Sequence, residues 1–293
     1  MTKPKVTVII STRNRPQLLL ERALDSLIYQ TFKDFEVLVI DDASDVPYKV
    51  PDLFLDIKYY RNEERKGLAH NRNKGAALAK GEYIVSLDDD NEFLPDFLNQ
   101  TSAFLDRNKH YAAVAVGKDV VYPEGSIYQP PSDSPFASIN DGFLIRKEAY
   151  LDVKCDERLQ SQDDADLGIR FRKKYKIGAL DKPLMTVYGS PIINTTSYSN
   201  YSDYHLKGLK QFWEEWHDEF ANDPKEYSAL TRYIGRMLYL AGRMIDAIRF
   251  FDSGRRLDNT FRNWLYLNTA RLGFFKQFYI IEQKLLRYWR VYR

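Results

Sequence analysis

Between Gly81 and Asp96 the chain runs GEYIVSLDDDNEFLPD. Tyr83–Leu87 is short, mostly apolar and contains Tyr and Val, the pattern of a buried strand. Three aspartates, Asp88, Asp89 and Asp90, follow directly at its end. Neighbouring carboxylates raise the cost of one another's charge, so a cation is expected to meet them. Mg²⁺ or Mn²⁺ suits the task, because hard ions take carboxylate oxygens and share them with substrate phosphates. The competing explanation is a solvated acidic turn that caps the next helix, near Leu94–Phe104.

The flanking segments weigh between the two. Val6–Ile10 reads as a continuous, β-branched buried strand broken by Ser11-Thr12-Arg13-Asn14-Arg15-Pro16. Pro16 then opens a helix with Leu20, Leu24, Leu27 and Ile28 at helical spacing, and Asn14 is its expected N-cap. Phe35–Ile40 is a second buried strand that also ends in acid, Asp41-Asp42. Ile57–Tyr60 is a third, Leu68–Ala79 a helix opening after Gly67, and the strand before the triple aspartate is the fourth. Strands alternating with helices at this spacing predict βαβ units and a parallel sheet covered on both faces. In such sheets the ligand crevice lies beyond the carboxyl ends of the strands. Ser11–Asn14, Asp41–Asp42 and Asp88–Asp90 all fall there, which favours a binding site over three separate caps.

Two nucleotide folds are excluded by composition at this edge. The first strand-to-helix turn, STRNRP, holds no glycine, so the backbone cannot hug a pyrophosphate as a dinucleotide fingerprint does. No phosphate-binding loop of the G-x-x-x-x-G-K-[ST] type occurs either. Phosphate is therefore expected to be held by a metal on carboxylates, assisted by cations such as Arg13, Arg15 and Arg72.

The wider composition is that of a folded chain. With 293 residues it can hold one large domain, or one domain and a smaller appendage. A formal net charge of +2 carries no global basic field for nucleic acid. The single cysteine, Cys155, cannot form an internal disulfide, no apolar run approaches a membrane span, and Met1–Lys5 lacks the apolar core of a signal peptide. The expected setting is the cytoplasm.

VTVIISTRNRPQLLLERALDSLIYQTFKDFEVLVIDDASD, followed by GLAHNRNKGAALAKGEYIVSLDDDNEFLPD, resembles the inverting glycosyltransferases of family 2. The likeness runs from about Val6 to Asp96 and resumes between Gly142 and Phe171. It implies the GT-A fold, an α/β architecture with a Rossmann-like, mostly parallel central sheet flanked by helices. It also implies a UDP-sugar donor and Mn²⁺ or Mg²⁺ held at an Asp-x-Asp element. By position that element is Asp88–Asp90, with Asp90 and Asp88 on the metal and Asp88 or Asp89 near the ribose. Asp42 would take the uracil ring, Ser11, Thr12, Arg13 and Asn14 would line the nucleoside, and Arg72 would reach the nucleotide or its phosphates.

In the second half, Ala112–Val116 and Asp119–Tyr122 read as two strands, Pro123–Asp133 as a loop, Gly142–Ile145 as a strand and Arg146–Val153 as a helix. LQSQDDADLGIRFRKKY then places Asp163 and Asp164 at a helix start. This resembles the family's Glu-Asp motif, which makes Asp164 the general base, with Asp163 in place of the usual Glu. A helix N-terminus favours an ionised acid, as a base requires; without the upstream motifs the pair reads first as N-terminal helix acids serving the dipole. Asp166 is expected to hold the helix or to pair with Arg170. Relatives often carry a histidine after this helix. Thr186–Asp203 has none, which leaves His205 as a late secondary candidate for the metal.

Residues 1–205 are thus expected to form the catalytic domain and 206–293 a helical extension. Tyr188–Tyr204 reads as a lid. LYLAGRMIDAIRFFDSGRRLD with NTFRNWLYLNTARLG faintly resembles a tetratricopeptide-like hairpin. Phe274–Arg293 carries an aromatic stripe beside Lys and Arg, which suits either an anionic membrane surface or packing on the catalytic domain. The expected reaction is transfer of a hexose or N-acetylhexosamine from a UDP-sugar to an oligosaccharide or lipid-linked glycan hydroxyl, in bacterial surface polysaccharide synthesis. The alternatives are a sugar-phosphate nucleotidyltransferase and an inactive nucleotide- or glycan-binding scaffold.

Overall fold

The computed structural model describes residues 3–50, 55–122, 125–132, 138–139, 141–159, 161–188 and 203–273, with 275 and 278. The chain divides into two compact units. One comprises Met1–Arg158 with Asp163–Gly189, the other Leu159–Gln162 with Ser190–Arg293.

The first unit is an α/β sheet structure. Its elements in order are β1 (Val6–Thr12), α1 (Gln17–Ile28), β2 (Phe35–Asp41), β3 (Ile57–Arg61), α2 (Leu68–Leu78), β4 (Tyr83–Ser86) and β5 (Glu92–Phe93). Then follow α3 (Phe97–Arg107), β6 (Ala113–Tyr122), β7 (Gly125–Gln129), β8 (Phe143–Arg146), α4 (Lys147–Val153), α5 (Asp163–Lys174) and β9 (Ile177–Tyr188). The strands lie in the order β3-β2-β1-β4-β8-β6-β9-β5, with β7 on β6. From β3 to β4 the pairings are parallel, as the βαβ pattern predicts. Beyond β4 the sheet is mixed: β8 runs antiparallel to both β4 and β6.

Alternation along the strands builds two cores. Val6, Val8, Ile10, Val37 and Val39 pack with Leu20, Leu24 and Leu27 of α1 and with Phe97, Leu98 and Leu105 of α3. Ile9, Leu38 and Ile40 point the other way, toward Ala69 and Ala76 of α2 and Leu167 and Phe171 of α5. Successive strand side chains face opposite sides, so a sheet covered on both faces demands these continuous apolar runs. Each fully buried Leu or Ile contributes about 1.5–3 kcal/mol. Helix α2 lies tight on β1: a Cβ on Gly75 would sit 2.5 Å from Ile9 Cγ2. That closeness carries Arg72, one turn earlier on α2, onto the sheet edge.

Several local expectations differ from the structure. Asn14 does not cap α1; Pro16 holds the N-cap position without a side-chain hydrogen bond, and Asn14 adopts φ 51° in the turn before it. The two strands read at Ala112–Val116 and Asp119–Tyr122 are one strand, β6, whose pairing with β9 slips register around Gly117. The break in the apolar pattern is a bulge and not an end. Gly125–Gln129, read as loop, is strand β7, because its groups pair with β6 from Lys118 to Tyr122.

Among the described residues the second unit holds four helices: α6 (Asp203–Phe220), α7 (Pro224–Leu240), α8 (Met244–Leu257) and α9 (Phe261–Arg271). Asp223 caps α7 by accepting from Lys225 N and Glu226 N, ahead of Pro224 at the first turn. Phe251, Tyr266, Leu267, Ala270 and Phe275 form one apolar cluster of this unit, and Asn263 Nδ2 donates to Ser228 Oγ at 2.7 Å between α9 and α7. Most of the Tyr188–Tyr204 segment and, apart from Phe275 and Phe278, the Phe274–Arg293 stripe lie outside the described residues. No helix among the described residues is long and apolar enough to cross a membrane.

Candidate active site

Register brings three polar clusters to one edge. Thr12 pairs with Asp41 across β1 and β2, and Ile9 pairs with Ser86 across β1 and β4. The chain therefore leaves these three strands side by side, at Arg13, Asp42 and Leu87. From the opposite direction, an isolated bridge sets Asp141 beside Ser86 just before β8.

The first two turns are stitched together. Asn14 N donates to Ser44 Oγ at 3.0 Å, Asn14 Nδ2 to Asp45 Oδ2 at 3.1 Å, and Asp45 N to Asn14 Oδ1 at 2.8 Å. Asn14 and Ala43 (φ 56°) both take left-handed conformations here. Asp41 Oδ1 accepts from Ser44 N and Ser44 Oγ, and Oδ2 accepts from Tyr59 OH. Burial, then the bond to Asp41, pushes Tyr59 up to about 12. Asp42 accepts from Asn62 Nδ2 (3.0 Å) and Lys66 N (2.8 Å) on Oδ1, and from Gly67 N (3.0 Å) on Oδ2. It thus shapes the turn that launches α2. Ser11 Oγ is buried with no hydrogen-bond partner among the described residues, and Arg13 is exposed.

The acidic loop after β4 is held by arginines from the first turn and helix. Arg15 Nε lies 3.0 Å from Asp89 Oδ1 and its Nη2 3.2 Å from Asp90 Oδ2. Arg22 Nη2 donates to the Asp90 carbonyl at 2.5 Å, its Nε lies 3.3 Å from Glu92 Oε1, and its guanidinium stacks 3.7 Å from the Tyr188 ring centroid. Burial raises Asp89 to about 6, against the Thr12 hydrogen bond and the Arg15 charge. Asp88 is raised too, by loss of surrounding water and by Asp90, against Arg72.

Arg72 joins this loop to α5. Its Nη1 is 2.9 Å from Asp163 Oδ2 and its Nη2 3.7 Å from Asp88 Oδ1. Burial opposes the guanidinium charge, but Asp163 first and then Asp88 outweigh it and raise Arg72. Asp163 is raised by burial, against Arg72. Asp164, the adjacent residue, is half-buried; Ala165 N donates to its Oδ1 at 2.8 Å, and its charge reaches both Arg72 and Asp88. Asp166 pairs with Arg170 at 2.5 Å, as its spacing predicts. His205 sits on α6 of the second unit, where its carbonyl accepts from Ser161 Oγ at 3.3 Å.

Three residues that the sequence did not single out belong to the same edge. Asp141 Oδ2 accepts from Asn91 Nδ2 at 2.8 Å, and Lys118 Nζ donates to the Asp141 carbonyl at 2.9 Å. Burial, then the Asp88 charge, raises Asp141 to about 7. The only local hint was an acid placed directly before a strand that runs back into this edge.

The carboxylates suit a hard ion, within limits. No group of three or more His, Cys, Asp or Glu able to hold a metal occurs among the described residues. Asp88 and Asp90 can offer oxygens to an ion that takes its remaining ligands from substrate phosphates and water, the usual habit of Mg²⁺. Chemically, the edge joins a cluster of acids, a buried guanidinium and a half-buried carboxylate.

Residues 7–156 match the model of Glycosyl transferase family 2. An uncharacterized glycosyltransferase of Methanocaldococcus jannaschii is 26% identical over 240 residues, covering 72% of this chain and 83% of that protein. WcaA of Escherichia coli, a glycosyl transferase named for colanic acid biosynthesis, is 25% identical over 284 residues, 88% of this chain and 98% of its own. The GalNAc(5)-diNAcBac-PP-undecaprenol beta-1,3-glucosyltransferase of Campylobacter jejuni is 40% identical over 130 residues, 42% of this chain and 41% of that one. S. aureus TarS (residues 1–349), solved in complex with UDP-GlcNAc, superposes with a TM-score of 0.53 at 17% identity, covering 92% of both chains. That likeness supports the GT-A fold.

Proposed function

The chain belongs to glycosyl transferase family 2 and is a glycosyltransferase, and we propose that it moves a hexose or N-acetylhexosamine from a UDP-sugar to a glycan hydroxyl with inversion, using Mn²⁺ or Mg²⁺. The observation that carries this reading is the convergence of Asp88 and Asp163–Asp164 on the Arg72 guanidinium at the carboxyl edge of the sheet. Such an edge is where open α/β sheets take nucleotide ligands.

Each residue has a role on this reading. Asp88 and Asp90 hold the ion, which when bound supplies Lewis-acid neutralisation of the departing diphosphate. Ser11, Thr12, Arg13 and Asn14 line the nucleoside, and the buried Ser11 Oγ, unpartnered among the described residues, offers a hydroxyl there. Asp42 presents a carboxylate to the uracil N–H, prealigned by its three protein donors. Asp89 is anchored by Arg15 and fixes the loop beside the ribose. Asp164 takes the proton from the acceptor hydroxyl as that oxygen attacks opposite the leaving group. Asp163 and Arg72 hold Asp164 in place.

The acceptor is proposed to be an oligosaccharide or lipid-linked glycan of a bacterial surface polysaccharide. The names of the E. coli and C. jejuni relatives support that setting. The C-terminal unit is proposed as the acceptor-side, oligomer or peripheral membrane contact, from the cytoplasmic side.

The test is UDP release from a panel of UDP-sugars, with Mn²⁺ or EDTA, by wild type and Asp90→Ala. Metal-dependent release from one donor, abolished in Asp90→Ala, supports the reading. Absence of binding and turnover with every donor overturns it.

A further inference from the structure

Asp141 is a carboxylate with one oxygen committed and one left over. Its Oδ2 takes the Asn91 amide and the Asp88 backbone N–H also faces the carboxylate, while its Oδ1 is buried and has no hydrogen-bond partner among the described residues. Asn91 cannot turn to serve both, because it is itself locked. Its N–H donates to the Asp88 carbonyl at 3.1 Å, and its Oδ1 accepts from Tyr188 N at 3.2 Å. The backbone of Asp141 is held equally firmly, by the bridge to Ser86 and by Lys118 Nζ on its carbonyl. Gly142 makes this possible: at φ +79° any Cβ would lie 2.5 Å from Met185 Sδ and 3.2 Å from Lys118 Cε. A larger residue there would push away the lysine that pins the turn.

A buried carboxylate oxygen left without a donor is costly, and native structures leave few of them. A ligand group that pairs with this oxygen brings a proton donor to a spot beside Asp88 at the strand ends. A diphosphate brings no donor and would be repelled by the carboxylate. A sugar hydroxyl brings one, and a sugar attached to that diphosphate lies within the same crevice. We propose that Asp141 Oδ1 accepts one hydroxyl of the sugar being transferred, and so sets which hexose epimer the enzyme prefers. The assignment rests on reading this edge as a UDP-sugar site. Since only one oxygen is open, Asp141 reads one hydroxyl, and inverting that carbon removes the contact. Asn91 and Lys118 act as positioning residues, through Asp141.

The experiment uses the full chain as wild type, Asp141→Asn and Asp141→Ala, with UDP-glucose, UDP-galactose, UDP-GlcNAc, UDP-GalNAc and UDP itself. Donor kcat/KM is read by UDP release in Mn²⁺, affinity by calorimetry and folding by thermal melting. Asp141→Asn keeps the shape and an acceptor for Asn91 while turning the open position into a donor. The expected result is unchanged UDP affinity, with kcat/KM for the preferred donor reduced about ten- to a hundredfold and the preference between epimers collapsed. Unchanged epimer preference in folded variants overturns the assignment and leaves the transferase reading intact. Weakened binding of UDP itself with Mn²⁺ also overturns it, because Asp141 would then serve the metal or nucleotide. If both Asp141 variants melt far below wild type, Lys118→Met decides through the same donor ratios: an unchanged preference again counts against the proposal. No UDP release from any donor by wild type overturns this inference together with the reading it rests on.

Discussion

Arg72 Nη1 lies 2.9 Å from Asp163 Oδ2, a contact between residues 91 positions apart, and both side chains are buried. One guanidinium thereby ties α2 to the start of α5 and sets the backbone from which Asp164 projects. Removing one partner of a buried ion pair strands the other charge, at about 3–5 kcal/mol. Arg72→Met should therefore lower stability by that order in urea titrations. Adding Asp163→Asn to it should restore part of the loss, because the stranded carboxylate is gone. Strict additivity of the two changes would show that the pair is not coupled.

Asp164→Asn should behave differently from Asp163→Asn. The Asp164 side chain is half-buried and, among the described residues, accepts only from the adjacent Ala165 N, so its loss should leave melting and UDP affinity close to wild type. Turnover should fall by about 10²–10⁴, the usual worth of a general base. Comparable turnover in Asp164→Asn and wild type would remove it from that role.

The N-terminal end of the sheet carries an acid-sensitive contact. Glu36 on β2 is buried, with Lys58 Nζ at 2.7 Å, Thr7 Oγ1 at 2.8 Å and Lys80 N at 2.7 Å. Burial works to raise its pKa, but Lys58, the Lys80 amide and Thr7 together hold it below the ordinary carboxylate value. A depressed folded-state pKa contributes stability that is fully present above the unfolded value, roughly 4.3, and is lost as pH falls through the folded one. Denaturation curves between neutral pH and about pH 3 should show a fall that Glu36→Gln flattens, at a cost near neutrality of about 1–3 kcal/mol.

Cys155 should be chemically silent in the folded protein. It is buried against Tyr150, whose hydroxyl lies 3.2 Å from Sγ. Burial pushes the thiol up to about 12, with Asp163 adding and Arg72 opposing. The thiolate is the reactive species, so Ellman's reagent at pH 8 should react only after denaturant is added. Rapid reaction under native conditions would mean the surrounding packing is looser than the structure shows.

Much of the fold was legible because strand and helix patterns are local. Val6–Ile10, Phe35–Ile40 and Tyr83–Leu87 could only be buried strands, and acids directly after the last two had to emerge at one edge of a parallel sheet. Gly117 misled for a local reason: a bulge interrupts the apolar alternation just as a strand end does. Asn14 misled because an Asn before Pro16 suits an N-cap and a left-handed turn equally, and only the contact with Asp45 tells them apart.

The sequence by itself determined the layered α/β core, the Asp88–Asp90 loop at a strand end and the acidic start of α5, since each depends on residues within one element. Tertiary structure alone decided that Arg72 serves Asp163, that Arg15 grips Asp89 and Asp90, and that Asp141 returns to Ser86 with one oxygen unpaired among the described residues. Those contacts join residues some 50 to 90 positions apart, and charge pairing at that range is set by strand order and register. No periodicity in the sequence records it.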